Sequence, residues 1–142
     1  MPKNILVGVW NLVSYIVTNE KGELINEPLG QDPKGQLIYT ENGYMAVNCM
    51  SSSRPHFGNG YSFQAHTKEK VQAFNSYFGY NGTYELQENR VIHHVTVSSF
   101  PNWSGTNQIR EMKLDGDQLT LSMGPKLVKG ESRTWTLVWR RI

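Results

Sequence analysis

The sequence holds little cysteine and no concentrated charge, and each shortage excludes a class of protein. Cys49 is the single cysteine among 142 residues, so no internal disulfide can form. That absence favours a reducing compartment, and we predict a cytoplasmic location. The net charge is only +2, and the longest basic run is the pair Arg140 and Arg141. Proteins that bind nucleic acid need clustered basic residues to contact the phosphates. This chain has no such cluster in its sequence, so we expect no nucleic-acid partner.

Long apolar runs and cofactor motifs are also missing. No segment approaches the roughly 20 apolar residues of a membrane span, and the apolar stretch 5–10 is too short for a signal peptide. We therefore expect a soluble protein with no membrane partner. The four histidines show no zinc-ligand spacing, so no metal site is expected. Neither a glycine-rich phosphate loop nor a serine nucleophile elbow is present, and we predict no cofactor.

Aromatic residues, by contrast, are abundant: four Trp, seven Tyr and five Phe. Large rings suit pleated, half-buried strands, and the apolar positions alternate with a period of two. Strands are predicted at 5–17, 36–40, 44–50, 83–87, 90–99, 106–114, 117–123 and 132–141. About eight antiparallel strands in 142 residues predict an all-β fold, a single barrel domain over residues 1–142.

Two segments between the strands carry other signals. Residues 18–35 contain both Pro and Gly and predict a long loop, for example a lid, and 51–66 should be irregular. Thr67 is a suitable helix N-cap, with Glu69 in the first turn. Val71, Phe74 and Phe78 follow at helical spacing, which predicts one short helix over 68–79 with these side chains packed on the core.

Turns between paired strands predict which side chains point inward. A two-residue turn at Asp115-Gly116 places Gln108, Arg110 and Met112 on the apolar face with Leu121. A tight turn at Glu88-Asn89 places Tyr84 opposite His93, and Val95 and Val97 continue that inward face. His94, adjacent to His93, must point outward. In the last strand the apolar set is Trp135, Leu137 and Trp139.

The hairpin at Asn42-Gly43 leaves its inward face open. Asn-Gly favours a type I′ turn, which needs positive φ at both residues. One face then carries Ile38, Met45, Val47 and Cys49. The other carries Tyr39, Tyr44 and Ala46, which are not polar either.

Several segments resemble the lipocalin-like domain family. They are GVWNLVS at 8–14, with its GxW signature, GQLIYT at 35–40 with NGYM at 42–45, FGYNGTY at 78–84, HHV at 93–95 and SFPNWSGTNQIR at 99–110. The resemblance implies a calycin-type barrel whose floor is crossed by Trp10, with Arg140 or Arg141 covering that ring. Some family members belong to natural-product pathways, which implies an isomerase or cyclase. Fold analogy alone does not establish activity.

The predicted interior is apolar with a few polar groups, as in a small-molecule site. One hypothesis is a cofactor-independent isomerisation or cyclisation. Arg110, helped by Gln108, would hold an enolate, and His93, oriented by Tyr84, would move a proton. The alternatives are a carrier or sensor of a small hydrophobic ligand, a structural polar network, and a filled barrel that binds other proteins. Assembly as a homodimer stays open. The predicted ligand-contacting residues are Gln108, Trp10, Met112, Leu121, Trp135, Trp139 and Val95.

Overall fold

The computed structural model of the chain describes residues 4–58 and 60–142, and these are mostly strands. Nine strands, one α-helix and two short 3₁₀ segments (Ser62–Gln64 and Pro101–Trp103) follow one another in this part of the chain. They are β1 (Gly8–Thr18), β2 (Leu24–Asn26), β3 (Lys34–Tyr39), β4 (Tyr44–Met50), α1 (Thr67–Asn75), β5 (Tyr77–Gln87), β6 (Arg90–Ser98), β7 (Asn107–Asp115), β8 (Gln118–Val128) and β9 (Glu131–Arg141).

Eight of the strands close into an antiparallel barrel. From β3 to β9 each strand pairs with the next, β1 pairs with β3, and β1 also pairs with β9 along most of its length. Closure removes the free strand edges that promote aggregation. The predicted all-β barrel with one helix is confirmed. Strand β2 is an addition, since it lies inside the predicted loop 18–35 and pairs with the end of β1.

In the β7–β8 hairpin the observed strand pairing is shifted by two residues relative to the predicted pairing. Asp115 faces Gln118 and Met112 faces Leu121, so the turn residues are Gly116 and Asp117. Because side chains alternate with a period of two, a shift by two residues keeps each side chain on its face. Arg110 is therefore still inward and buried, as predicted.

The β3–β4 hairpin shows the opposite case. Of its turn residues only Gly43 has positive φ, and the backbone N–H of Thr40 donates to the carbonyl of Tyr44. This is a longer loop ending in a bulge, so the predicted type I′ turn is wrong. The register moves by one residue, so Tyr39 rather than Ile38 shares a face with Met45 and Val47. Tyr39 is consequently inward and 1% exposed, whereas Ile38 is 36% exposed.

A bulge corrects one further side-chain direction. Asn81 pairs with Val97 and Gly82 with Val95, so Thr96 is an extra residue on β6. The extra residue inverts the alternation, and Val97 is exposed rather than inward. Before the bulge the predicted register holds, with Tyr84 opposite His93.

Helix α1 is shorter and less buried than predicted. His66 rather than Thr67 is its N-cap, and the helix ends at Asn75 because Tyr77 and the residues after it join the sheet against β4. Val71 and Phe74 are exposed, which makes their predicted packing on the core wrong. No helix in the described ranges is long and apolar enough to cross a membrane.

One end of the barrel is closed by Trp10, which is fully buried. Its indole N–H donates to the carbonyl of Leu6 at 3.0 Å. The guanidinium of Arg141 lies over the ring at 4.2 Å from its centroid. Arg141, not Arg140, is thus the basic residue that covers the floor.

Candidate functional site

The barrel encloses a small cavity above this floor, which we call the inner cavity. Its volume is about 50 Å³, room for a few water molecules. Aromatic and aliphatic side chains make most of the wall, and two inward polar residues, His93 and Arg110, complete it. The lining residues are Tyr15, Leu37, Val47, Phe78, Tyr80, His93, Trp103, Arg110, Leu121, Met123, Trp135, Leu137 and Trp139.

His93 lies between two tyrosines. Its Nε2 atom is 2.7 Å from the hydroxyl of Tyr39, and its Nδ1 atom is 2.7 Å from the hydroxyl of Tyr80. Burial, together with the positive charges of Arg110 and His94, lowers the pKa of His93 to about 3. The ring is therefore neutral at physiological pH, donating from one nitrogen and accepting at the other.

Arg110 is the charged residue of the interior and is 7% exposed. It pairs with Val91 on β6, and its Nη1 donates to the carbonyl of Ile109 at 3.1 Å. The guanidinium carbon lies 5.5 Å from the ring centroid of Trp103, within cation–π distance. Among the described residues no carboxylate forms an ion pair with Arg110.

The charge of Arg110 acts on the tyrosines around it. Burial raises the pKa of Tyr39 well above its usual value and also raises that of Tyr80, while Arg110 opposes both shifts. The same balance, with a further contribution from Cys49, raises the pKa of Tyr15 to about 12. The phenols therefore stay protonated, so none of these three tyrosines is an anionic partner of Arg110.

Tyr84 does not orient His93, although the two residues face each other across β5 and β6. Its hydroxyl donates to the carbonyl of Thr40 at 2.8 Å and accepts from the amide of Asn4 at 2.7 Å. The ring packs edge-on against Tyr39, with centroids 4.7 Å apart. Tyr84 belongs to the floor of the barrel.

The predicted site residues divide into two groups. His93, Arg110, Leu121, Trp135 and Trp139 line the inner cavity. The Nε1 atom of Trp139 is buried, and no described residue accepts its hydrogen bond. The second group lies away from the cavity and comprises Trp10 in the floor, Val95 and Met112 in the core packing, Tyr84, and Gln108, whose amide donates to the hydroxyl of Thr106 at 3.0 Å.

Sequence reasoning missed the partners of His93. Tyr39 was on the face left open at the β3–β4 hairpin, and Tyr80 preceded the predicted start of its strand. Trp103 follows Pro101 in the corner between β6 and β7, where no alternation predicts direction. Tyr80 lies in the FGYNGTY segment and Trp103 in the FPNWSG segment. The resemblance of these segments to the family was the signal in the sequence that could have found both residues.

A second pocket lies at the open end of the barrel, and we call it the outer pocket. Its volume is about 310 Å³. Four aromatic residues, Tyr15, Phe78, Tyr80 and Trp103, line both the outer pocket and the inner cavity. The rest of its lining comes from helix α1, the 28–29 segment, the start of β5 and the 98–103 corner, namely Pro28, Leu29, Phe74, Asn75, Tyr77, Gly79, Ser98, Ser99 and Phe100.

A closed antiparallel barrel with an apolar, aromatic interior and a few buried polar groups is the architecture of a small-ligand-binding β-barrel. The chain belongs to the lipocalin-like domain family, whose model matches residues 7–142. It is also 34% identical over 93 residues to a protein of Aspergillus oryzae named 4'-hydroxy-3'-methoxypropiophenone carrier protein ppsC. That match covers 58% of this chain and 84% of the relative. No solved structure matches the chain.

Proposed function

We propose that this protein is a non-catalytic carrier of a small aromatic molecule that bears an oxygen acceptor, such as an aryl ketone or a phenol. The observation that carries the proposal is Arg110, a buried cation in an aromatic-lined barrel with no carboxylate partner among the described residues. A buried charge is costly unless a partner of opposite charge or strong dipole meets it. A carbonyl or phenolate oxygen supplies that partner, and the aromatic residues that line the two pockets provide contacts for the ring.

The relative supports the same chemistry. Its name describes a carrier of a propiophenone, a single-ring aryl ketone with phenol and methoxy groups. The family match covers the whole barrel of this chain, including Arg110 and the aromatic lining. The ligand class is therefore one that both the named relative and the buried cation favour.

The local geometry favours carriage over the predicted isomerase or cyclase activity. A general base works best when its pKa lies near the operating pH and it has a free nitrogen towards the substrate. The pKa of His93 is lowered to about 3, and both ring nitrogens already contact tyrosine hydroxyls. In a carrier, His93 thus has a structural role, because its hydrogen bonds hold the hydroxyls of Tyr39 and Tyr80 in place.

The test is a titration of the purified protein with 4'-hydroxy-3'-methoxypropiophenone, followed by calorimetry and by tryptophan fluorescence. We expect saturable binding to the wild type and at least about tenfold weaker binding to Arg110→Ala, since a lost charge-assisted hydrogen bond costs roughly 1.5–3 kcal/mol. Arg90→Ala is the matched control, because Arg90 is an exposed arginine paired with Glu111. Circular dichroism verifies that each variant is folded.

Two results would overturn the proposal. One is the absence of saturable binding to the wild type, and the other is equal affinity of Arg110→Ala and Arg90→Ala. Mass spectrometry of the extracted ligand separates carriage from catalysis. We expect the ligand to be recovered unchanged, whereas a product that disappears with His93→Gln would support the enzyme hypothesis instead.

A further inference from the structure

The outer pocket has a much larger volume than the inner cavity, and this difference limits where the ring of a ligand can bind. The inner cavity of about 50 Å³ is far below the roughly 300–1,000 Å³ of typical small-molecule sites, and the outer pocket of about 310 Å³ reaches that range. A benzene ring with substituents therefore does not fit beside Arg110 in the inner cavity. Arg110, which would bind the oxygen of a ligand, lines the inner cavity, whereas the space for the ring is in the outer pocket.

The wall between the compartments is aromatic and close to the cation. Trp103 and Tyr80 pack edge-to-face with centroids 5.7 Å apart, and Tyr15 and Phe78 do so at 5.9 Å. The guanidinium of Arg110 lies over the ring of Trp103, 5.5 Å from its centroid, and both residues line the inner cavity. A group that reached the inner cavity past Trp103 would therefore lie in the same cavity as the guanidinium of Arg110.

The outer pocket presents apolar surface that the protein itself leaves uncovered. Phe74 on α1 is 56% exposed and Phe100 is 42% exposed, and both line this pocket. Another part of its lining is held in place, since Leu29 is buried and its carbonyl accepts a hydrogen bond from the hydroxyl of Ser51 at 3.0 Å. An aromatic ring packed against these side chains would bury apolar area of its own and of the pocket.

We propose that the ring of the ligand binds in the outer pocket, against Phe74 and Phe100, and that only its oxygen substituent passes the aromatic wall to Arg110. The inference rests on the proposed carrier function and narrows it. The ligand is a monocyclic aromatic molecule whose carbonyl or phenolate oxygen lies at one end. Helix α1 then contributes a ligand-contacting residue, Phe74.

The position of the ring is measured by nuclear Overhauser effects between unlabelled para-hydroxyacetophenone and isotope-labelled protein. We expect contacts from the ring protons of the probe to Leu29, Phe74 and Phe100. Leu121 and Trp139 line only the inner cavity, so they report on the alternative. Dominant contacts to Leu121 and Trp139 would overturn the inference.

A variant pair on α1 gives the second readout. Phe74→Ala is expected to weaken binding of para-hydroxyacetophenone about five- to tenfold, because one aromatic face of the site is lost. Val71→Ala is the control, since Val71 is similarly exposed on α1 but does not line the pocket. Both positions are exposed in the free protein, so both variants are expected to fold.

The outcomes separate this inference from the carrier function. Binding that depends on Arg110 but is equal in Phe74→Ala and Val71→Ala would keep the carrier and overturn the outer-pocket assignment. Weaker binding in Phe74→Ala, with probe contacts to that ring in the wild type, supports the assignment. A wild type that binds neither this probe nor 4'-hydroxy-3'-methoxypropiophenone would overturn both.

Discussion

The guanidinium of Arg141 lies over the indole of Trp10 and links the end of β9 to the residues before β1. Its guanidinium carbon lies 4.2 Å from the indole centroid, and its two terminal nitrogens donate to the carbonyls of Val7 and Ile5 at 2.7 Å each. Trp10 in turn donates to the carbonyl of Leu6. One side chain from the end of β9 therefore orders the residues that lead into β1.

Loss of this contact is expected to destabilise the fold. Arg141→Ala removes a cation–π contact and two charge-assisted hydrogen bonds, and we expect the free energy of unfolding to fall by about 2–3 kcal/mol. The neighbouring exposed residue supplies the control, with Arg140→Ala expected to change stability by less than about 0.5 kcal/mol. Urea denaturation of the two variants measures both. Equal stability of the pair would contradict the role given to Arg141.

His93 is expected to make stability fall in mild acid. The folded protein holds this ring neutral down to about pH 3, whereas the unfolded chain protonates it near pH 6.5. Between these values the unfolded state binds more protons, so the stability from His93 is complete above pH 6.5 and is lost as the pH falls. The slope attributable to one such group approaches about 1.4 kcal/mol per pH unit.

The measurement compares wild type with His93→Gln in denaturant titrations from pH 7 to pH 4, because carboxylates titrate alike in both proteins. We expect the stability advantage of the wild type to shrink as the pH falls. Ring carbon shifts of His93 in NMR spectra give a direct check. A ring that titrates near pH 6.5 in the folded wild type would refute the assignment.

The pKa of His94, the next residue, is shifted in the opposite direction, so its contribution to stability has the opposite pH dependence. Its Nδ1 lies 2.7 Å from the amide oxygen of Asn107 and its Nε2 lies 2.8 Å from a carboxylate oxygen of Glu85. The hydrogen bonds to these two acceptors raise the pKa of His94. The stability from this cluster is therefore complete below about pH 6.5 and is lost as the pH rises through the raised value.

NMR titration of the histidine rings measures this shift. Glu85→Gln is expected to move the pKa of His94 down towards its ordinary value. Glu111→Gln is the matched control, because that carboxylate pairs with Arg90. An unchanged His94 titration in Glu85→Gln would mean that the Glu85 contact does not form in solution.

Gly82 is expected to tolerate no side chain. A Cβ at this position would lie 1.9 Å from the backbone carbonyl oxygen of His94, at the bulge between β5 and β6. Backbone atoms of a closed sheet cannot retreat cheaply, so Gly82→Ala should cost about 3 kcal/mol or more. Gly60→Ala is the control, since no atom of the described residues, its chain neighbours aside, lies within 4 Å of its added Cβ. Thermal unfolding of both variants decides the matter.

The sequence predicted the barrel well because period-two alternation survives some errors of register. The turn at Asp115 was misplaced, yet the error shifted the pairing by two residues and left Arg110 inward. At Asn42 the pairing is shifted by one residue, which puts Tyr39 on the face of Met45, whereas the prediction had left the inward face of this hairpin open. An error of two residues in a turn keeps the predicted faces and an error of one does not. Arg110 was therefore recovered from the sequence, and Tyr39 was not.

Other features depended on tertiary context that no local pattern carries. The bulge at Thr96 arises where β5 and β6 change register, and it turned Val97 outward. Phe78 fits a helical spacing with Phe74 but belongs to β5, because pairing with Cys49 on β4 outweighs local helix propensity. The partners of His93 come from β3 and β5, so only the closed barrel brings them together.

The isolated charge of Arg110 also has an evolutionary consequence. A well-packed apolar side chain at this position would spare the empty barrel the cost of desolvating a cation. Mutations that increase stability should therefore accumulate at residue 110 in any laboratory selection that rewards folding alone. Retention of arginine would then require selection for a task that uses the charge, and stability and function would favour different residues at the same site.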